Sequence, residues 1–273
     1  MTAPLRFDRD LHVHTIYSGH SGPEMFIPAV MARAAEAGLR EIVILEHVPA
    51  LNSETYLDLR KWTRGRNDRS VLSAILAEMA PRRAAHPGTR FRAGVEVDAD
   101  PVRMDGSLML KDVSGAEVVL AATHLVPGGR GFWFDRPEFP AEEKPGLLAA
   151  WIGWLEKLVR RPEVDVLAHP ACEMAACKLT GDFSPAFREE FAPALRAMAD
   201  CGTAFELNEA AIGRFSPEEA AGYVELVRDA RDCGVLFSIG SDAHHGDQLG
   251  VFNLVPETAA AAGLTEDDAW RPG

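Results

Sequence analysis

The stretch Asp10-Leu11-His12-Val13-His14-Thr15-Ile16-Tyr17-Ser18-Gly19-His20 places three histidines within nine residues. Residues 6–13 are predicted to form a first strand, which carries His12 and runs up to His14. Side chains two positions apart in a strand point to the same face, so these two imidazoles project together. Such a pair is suited to bind one metal ion, but alone it is also typical of a polar strand end. Its meaning therefore depends on the rest of the chain.

Further candidate ligands follow at or just past the ends of short apolar runs. They are His47, Glu96, His124, His169, Asp242 and His244. With the first three histidines they make nine candidates, whereas a structural zinc site needs four ligands, so the set fits two or three ions. Imidazole and carboxylate ligands are compatible with zinc, manganese or iron. Histidine is otherwise sparse, since only His86 and His245 remain, which argues against chance placement.

Seven short apolar strands are predicted to alternate, for the most part, with helices. The strands are 6–13, 41–45, 91–97, 117–122, 164–168, 203–207 and 235–239. The helices are 28–38, 70–80, 142–160, 184–200 and 216–233, with a short last helix near 265–269 and a kink or boundary at Pro193. This alternation predicts an α/β fold with a parallel sheet inside and helices outside. In an α/β barrel the carboxyl ends of all strands open onto one face, so ligands distant in sequence converge there.

The chain is predicted to form a single domain over residues 1–273, because no internal repeat or linker divides it. Hydrophobic residues make up 47% of the chain, enough for a sizeable core. No G-x-G-x-x-G motif follows the first strand, which argues against a dinucleotide-binding fold.

Composition also excludes some partners. The net charge of −13 argues against binding of long nucleic acids. No apolar run reaches the roughly 18 residues of a membrane span, and no signal-peptide pattern is visible, so we expect a cytoplasmic protein without a membrane partner. The sequence leaves the oligomeric state open.

The four cysteines, which form no C-x-x-C pair, are predicted to be reduced and mostly buried: Cys172, Cys177, Cys201 and Cys233.

The pattern of ligand positions resembles the PHP family, named for its polymerase and histidinol phosphatase members, over nearly the whole chain. The resemblance implies a distorted, TIM-like barrel of seven strands with a trinuclear metal site at their carboxyl ends. By this resemblance a first ion is held by His12, His14, Glu96 and Asp242. Glu96 bridges to a second ion, which His124 and His169 complete. A third ion is held by His20, His47 and His244.

The sequence departs from the family in its second motif. Threonine and aspartate usually precede the histidine there, whereas Leu45 and Glu46 precede His47 in this chain. We expect this change to affect the groups around His47 rather than His47 itself.

The resemblance implies a metal-dependent phosphoesterase that hydrolyses a small phosphate monoester, with L-histidinol phosphate as the best single expectation. Ions close together lower the pKa of a bridging water, and the resulting hydroxide attacks phosphorus. Glu96, Asp242 and His244 are the predicted catalytic residues. Asp242 or a metal-bound water is expected to donate the proton to the leaving group.

Three alternatives remain open from the sequence. One is a nucleotide or oligonucleotide phosphatase, or a cyclic phosphodiesterase, of the same family. Another is a non-catalytic metal-bound module, which the full ligand set argues against. The third is a lactone or carbon–nitrogen hydrolase, because metal-activated water also attacks carbonyl groups.

Other residues are predicted to support the site. Arg214 and Arg130 are candidates for binding the substrate phosphate, because guanidinium groups match phosphate geometry. Asp10 is predicted to be either a partner of a ligand histidine or an exposed strand carboxylate. The glycine-rich loop 127–140 is expected to line the site, and residues 50–69 are expected to cross the barrel mouth or to be poorly ordered.

Overall fold

Seven parallel strands, paired in sequence order, form the centre of the molecule. The structure, a computed structural model, describes residues 3–48, 70–110, 112–133, 138–170, 179–180 and 183–273. The strands are β1 (Arg9–Val13), β2 (Glu41–Ile44), β3 (Arg90–Asp98), β4 (Val118–Ala122), β5 (Val166–Leu167), β6 (Ala204–Asn208) and β7 (Phe237–Gly240). The predicted distorted seven-stranded barrel is confirmed, because the strands form a nearly closed barrel with helices outside.

The barrel is closed by the segment that follows β7. The amide of Asp242 donates to the carbonyl of His12 (2.9 Å), and the amide of His14 donates to the carbonyl of Ala243 (3.0 Å). Below them, the fully buried carboxylate of Asp10 accepts from the backbone amide of Ser241 (2.9 Å). The first strand is thereby joined to the last part of the barrel at the carboxyl ends of both.

The described helices are α1 (Ile27–Glu36), α2 (Ser70–Met79), α3 (Lys144–Leu158), α4 (Pro185–Cys201), α5 (Glu209–Ile212), α6 (Pro217–Asp232) and α7 (Leu254–Ala262). Five of them agree with predicted helices to within a few residues at each end, and α5 and α7 were not predicted. Helix α6 begins with the capping box of Ser216 and Glu219, in which each side chain bonds the other residue's amide. Pro193 lies inside α4 without ending it.

Alternate residues along the strands fall into two apolar clusters, which identifies the inside of the barrel. The smaller cluster, which packs against Trp270, fills the barrel: Leu11, Val43, Leu45, Val118, Leu120, Ala122, Val166, Ala168 and Ala204. The larger cluster packs the outer faces of the strands against the helices. At the amino-terminal mouth, Arg92 pairs with Glu41 (2.7 Å) and donates to the carbonyls of Pro272 (3.1 Å) and Gly273 (2.8 Å). Residues 270–273 therefore cover the end opposite the histidines.

Some sequence predictions are wrong in detail. The last α-helix is α7, not 265–269, where a 3-10 turn over Glu266–Asp268 lies instead. Cys201 is exposed and Cys233 only partly buried, because both lie near the carboxyl ends of helices at the surface. Cys172, Cys177 and residues 50–69 lie outside the described residues. No described helix is long and apolar enough to span a bilayer.

Candidate metal centre

The predicted ligands meet at the carboxyl ends of the strands. His12 and Glu96 lie within β1 and β3, and the others lie one to four residues beyond strand ends or, in the case of His20, after a 3-10 turn. Most of them are buried, with His12 and His14 at 0% exposure and Glu96 at 2%. Seven imidazoles and two carboxylates from both ends of the chain therefore share one pocket.

Glu96 is at the centre of this cluster. Its Oε2 lies 2.7 Å from Nδ1 of His47 and 3.4 Å from Nε2 of both His12 and His14. Its Oε1 lies 3.1 Å from Nε2 of His169 and 3.3 Å from Nε2 of His124. The two oxygens thus face two separate sets of imidazoles, the arrangement of a carboxylate that bridges two cations.

Imidazole nitrogens also face one another. Nε2 of His12 lies 3.0 Å from Nε2 of His14, and Nε2 of His20 lies 2.7 Å from Nε2 of His244. Asp242 Oδ1 lies 3.3 Å from Nε2 of His14. Donor atoms lie within 4.8 Å of one another in three overlapping groups: His14, His47 and His244; His12, His14 and Glu96; and His47, Glu96 and His124.

The other ring nitrogen, Nδ1, faces an oxygen acceptor in several of these histidines. It lies 2.7 Å from Glu206 in His12, 3.0 Å from Asp98 in His124 and 2.9 Å from the Asp242 carbonyl in His244. An acceptor on Nδ1 holds the proton there and turns the lone pair of Nε2 toward the cluster. Lone pairs that converge on each other need a shared proton or a cation between them. The donor set therefore fits transition-metal ions.

The pKa values of the histidines divide the cluster into two parts, one with raised and one with lowered values. Burial lowers the pKa of His12, but the carboxylates of Glu206, Asp242 and Glu96 outweigh it and raise the pKa to about 10. Burial likewise lowers the pKa of His14, and hydrogen bonds to Asp242, Glu46 and Glu96 raise it well above its ordinary value. Without a cation, the surrounding carboxylates therefore favour protonation of these two imidazoles.

The histidines near the mouth behave differently. Burial and the charge of His14 lower the pKa of His244 to about 3 and lower the pKa of His20. Burial holds the pKa of His47 well below its ordinary value despite the nearby Glu96. These pKa shifts favour the neutral form of the three imidazoles, which is the form that binds a cation.

Two of the candidate ligands have strained backbones. His169 has φ 30° and Asp242 has φ 58°, in the left-handed region that residues with a Cβ rarely adopt. Hydrogen bonds hold both, since His169 N donates to Glu206 Oε2 (2.6 Å) and Asp242 N donates to the His12 carbonyl (2.9 Å). Strain of this kind persists where the surrounding structure fixes a functional geometry.

The three residues that were predicted to support the site make contacts other than the predicted ones or stay untested. Arg214 is exposed just after α5, and Arg130 pairs at the surface with Glu143 (2.7 Å). Their substrate-binding roles stay predictions. Asp10 is neither exposed nor bonded to an imidazole ring, because its carboxylate accepts from Ser241 Oγ (2.6 Å) and Gly250 N (2.9 Å).

The aromatic residues of the 127–140 loop that the structure describes pack inward. Trp133 is fully buried and donates from Nε1 to the Thr123 carbonyl (3.1 Å), and Phe132 is 5% exposed. Phe134 lies outside the described residues.

Sequence reasoning did not find three carboxylates that support the cluster. Glu206 contacts His12, Asp98 contacts His124, and Glu46 lies 3.6 Å from Nδ1 of His14. Glu46 Oε1 also accepts from the Thr15 amide (2.7 Å), and the expected effect of this residue on the groups around His47 stays a prediction. One sequence feature could have identified Asp98. It lies two positions after Glu96 in the same strand, so the two carboxylates share a face.

Comparison with known proteins agrees with this geometry. No family model matches the chain. It is 26% identical over 251 residues to a "Probable phosphatase" of Edwardsiella ictaluri, covering 89% of this chain and 81% of that one. It is 24% identical over 269 residues to a "Probable phosphatase" of Syntrophotalea carbinolica, covering 98% and 92%.

A solved structure shares the fold. The histidinol phosphate phosphatase of Lactococcus lactis, solved with zinc, L-histidinol and phosphate, superposes with a TM-score of 0.61 at 18% identity, covering 93% of this chain and 91% of that one. The predicted resemblance to PHP phosphatases is confirmed. The predicted class, a hydrolase, agrees with the names of the curated relatives, which are probable phosphatases.

Proposed function

We propose that this chain is a metal-dependent phosphatase that hydrolyses a small phosphate monoester at a centre of two or three cations. One observation carries the proposal, namely that five imidazoles surround the buried carboxylate of Glu96 at the carboxyl ends of barrel strands. The phosphatase names of relatives that span most of the chain support the same reaction.

We assign the residues to the proposed cations as the resemblance to the PHP family implies. His12, His14, Glu96 and Asp242 would hold a first cation, Glu96 with His124 and His169 a second, and His20, His47 and His244 a third. Bound cations would supply Lewis-acid activation of water and neutralise charge on the phosphoryl oxygens. The opposite orientation of the two Glu96 oxygens supports its bridging role.

The 16% and 22% exposure of the Asp242 and His244 side chains supports a position for them on the side from which a substrate would approach. Burial raises the pKa of Asp242, but His12 and His14 outweigh it and hold that pKa well below its usual range. Asp242 is therefore suited to bind a cation as a carboxylate. Its role as proton donor to the leaving group stays a prediction.

We propose L-histidinol phosphate as the first substrate to test, because a protein with the same fold was solved with L-histidinol and phosphate. The net charge of −13 supports a small substrate over a long nucleic acid. A cytoplasmic location and a single domain over residues 1–273 stay predictions.

The test combines substrate and metal. Phosphate release is measured from L-histidinol phosphate and a nucleoside monophosphate. Ring opening is measured for a cyclic phosphodiester and a lactone, and amine release is measured for an amide. Each is assayed on purified, chelated and zinc-, manganese- or iron-reloaded protein, and metal is counted by elemental analysis. We expect two or three ions per chain and metal-dependent release from the monoester. No release with any metal, or hydrolysis of the lactone or amide alone, would overturn the proposal.

A further inference from the structure

Strand β6 contributes none of the nine predicted ligands, yet two of its side chains reach the cluster. Glu206 and Asn208 are both 0% exposed. They share one face of the strand, because they are two positions apart. Fully buried polar groups are costly unless they are hydrogen-bonded, so their partners indicate what they do.

Glu206 binds two candidate ligands from two other strands. Its Oε1 lies 2.7 Å from Nδ1 of His12, and its Oε2 accepts from the backbone amide of His169 (2.6 Å). A carboxylate only accepts hydrogen bonds, so the Nδ1 of His12 carries the proton and its Nε2 faces the cluster. The bond to His169 holds the residue whose φ is 30°.

Asn208 extends the connection to a third ligand. Its Nδ2 donates to Glu206 Oε2 (3.2 Å) and lies 3.4 Å from Asp242 Oδ2. Its Oδ1 accepts from the Ala211 amide (2.9 Å), which fixes the side chain by capping α5. The β6 pair therefore links groups that come from β1 and from the segments after β5 and β7.

We propose that Glu206 is a positioning residue that fixes the tautomer of His12 and the backbone of His169, so that both face the cations. Asn208 supports it by orienting Oε2. The inference rests on the proposed function, because positioning matters only if these histidines bind metal. Glu206 itself touches neither substrate nor cation in this assignment.

Replacement by glutamine tests the geometry. Each oxygen of Glu206 accepts a hydrogen bond from a different N–H group, whereas glutamine has one oxygen and one NH₂ group. If the NH₂ group faces the amide of His169, that hydrogen bond is lost. If it faces His12, it can only donate to Nδ1, which moves the ring proton to Nε2 and removes the lone pair that faces the cluster. Asp98 is a matched control. Its Oδ1 alone accepts from both Nδ1 (3.0 Å) and the backbone amide (3.2 Å) of His124. Asp98→Asn therefore removes the same charge but keeps both bonds.

The first readout is metal binding without substrate, by competition of zinc with a chromophoric chelator and by elemental analysis. We expect Glu206→Gln to weaken zinc binding by roughly 10–100-fold, the usual range for loss of a partner of a ligand histidine, and Asp98→Asn to weaken it less. Zinc affinity equal to wild type in Glu206→Gln, or an equal loss in Asp98→Asn, would overturn the proposal.

A second variant covers the case in which glutamine prevents folding. Glu206→Asp keeps two acceptors on a shorter side chain, so we expect zinc affinity between those of wild type and Glu206→Gln. At saturating zinc, kcat on the monoester should fall more than KM changes. If zinc binding weakens in the variants but wild type releases no phosphate, the positioning role stands and the proposed function fails. If wild type releases phosphate and Glu206→Asp binds zinc as wild type does, only the positioning role fails.

Discussion

Gly240, at the end of β7, leaves the space in which Glu206 and His12 meet. A Cβ added there would lie 2.5 Å from the Cβ of His12 and even closer to Glu206 Oε1. Real Cβ atoms do not approach so closely, so Gly240→Ala must displace one of the two buried side chains. Because this pair joins β1 to β6, the displacement affects both the packing and the metal centre.

The expected cost follows from overpacking of a buried site, which is typically about 1–3 kcal/mol. For a chain of this length that cost lowers Tm by roughly 2–10 °C. Gly153 provides a matched control inside α3, where an added Cβ meets nothing within 4 Å. Gly153→Ala should instead raise the free energy of unfolding by about 0.5–1 kcal/mol, because alanine favours a helix more than glycine.

The assay is thermal and urea unfolding of the chelated proteins, followed by zinc titration of each folded variant. We expect Gly240→Ala to be less stable and to bind zinc more weakly, and Gly153→Ala to be more stable with unchanged zinc binding. If Gly240→Ala matched wild type in both measurements, the described packing of Glu206 against His12 would be wrong.

Three further predictions follow from the charges. Burial raises the pKa of Asp10 to about 6, so the native state holds its proton more strongly than the unfolded chain. The metal-free chain should lose up to about 3 kcal/mol of stability as pH rises from about 4 to about 6, and Asp10→Asn should lack this dependence in urea titrations at several pH values. Zinc must displace protons from His12 and His14, so affinity should rise with pH near neutrality, by roughly tenfold per unit for each proton; a pH-independent affinity in chelator competition would contradict this. Arg214→Ala should raise KM or lower kcat for the true phosphate ester without changing metal content, and unchanged kinetics would remove Arg214 from the site.

The sequence predicted the strands and the ligand cluster because both depend on local patterns. His12 and His14 lie two positions apart in a strand, and the other ligands follow apolar runs whose ends must meet in a parallel barrel. The sequence pattern alone was therefore enough to predict the position of each candidate ligand.

The supporting carboxylates could not be predicted in this way. Glu206 lies in an ordinary strand pattern, and its partner His12 is 194 positions away, so only the packed barrel brings them together. Helix α7 was missed because its alanine-rich sequence has no apolar period and Pro256 stands in its first turn. Pro193 predicted a kink or boundary, but the α4 sequence on both sides continues as one helix.

The closure of the barrel between Asp10 and Ser241 also has a consequence for biosynthesis. These two residues are 231 positions apart, so β1 leaves the ribosome long before its last neighbour is made. At about 5–20 residues per second, the first two histidines wait some 10–50 seconds for the partners that enclose them. A cation would therefore meet the full set of candidate ligands only after residues 242–244 have been synthesised.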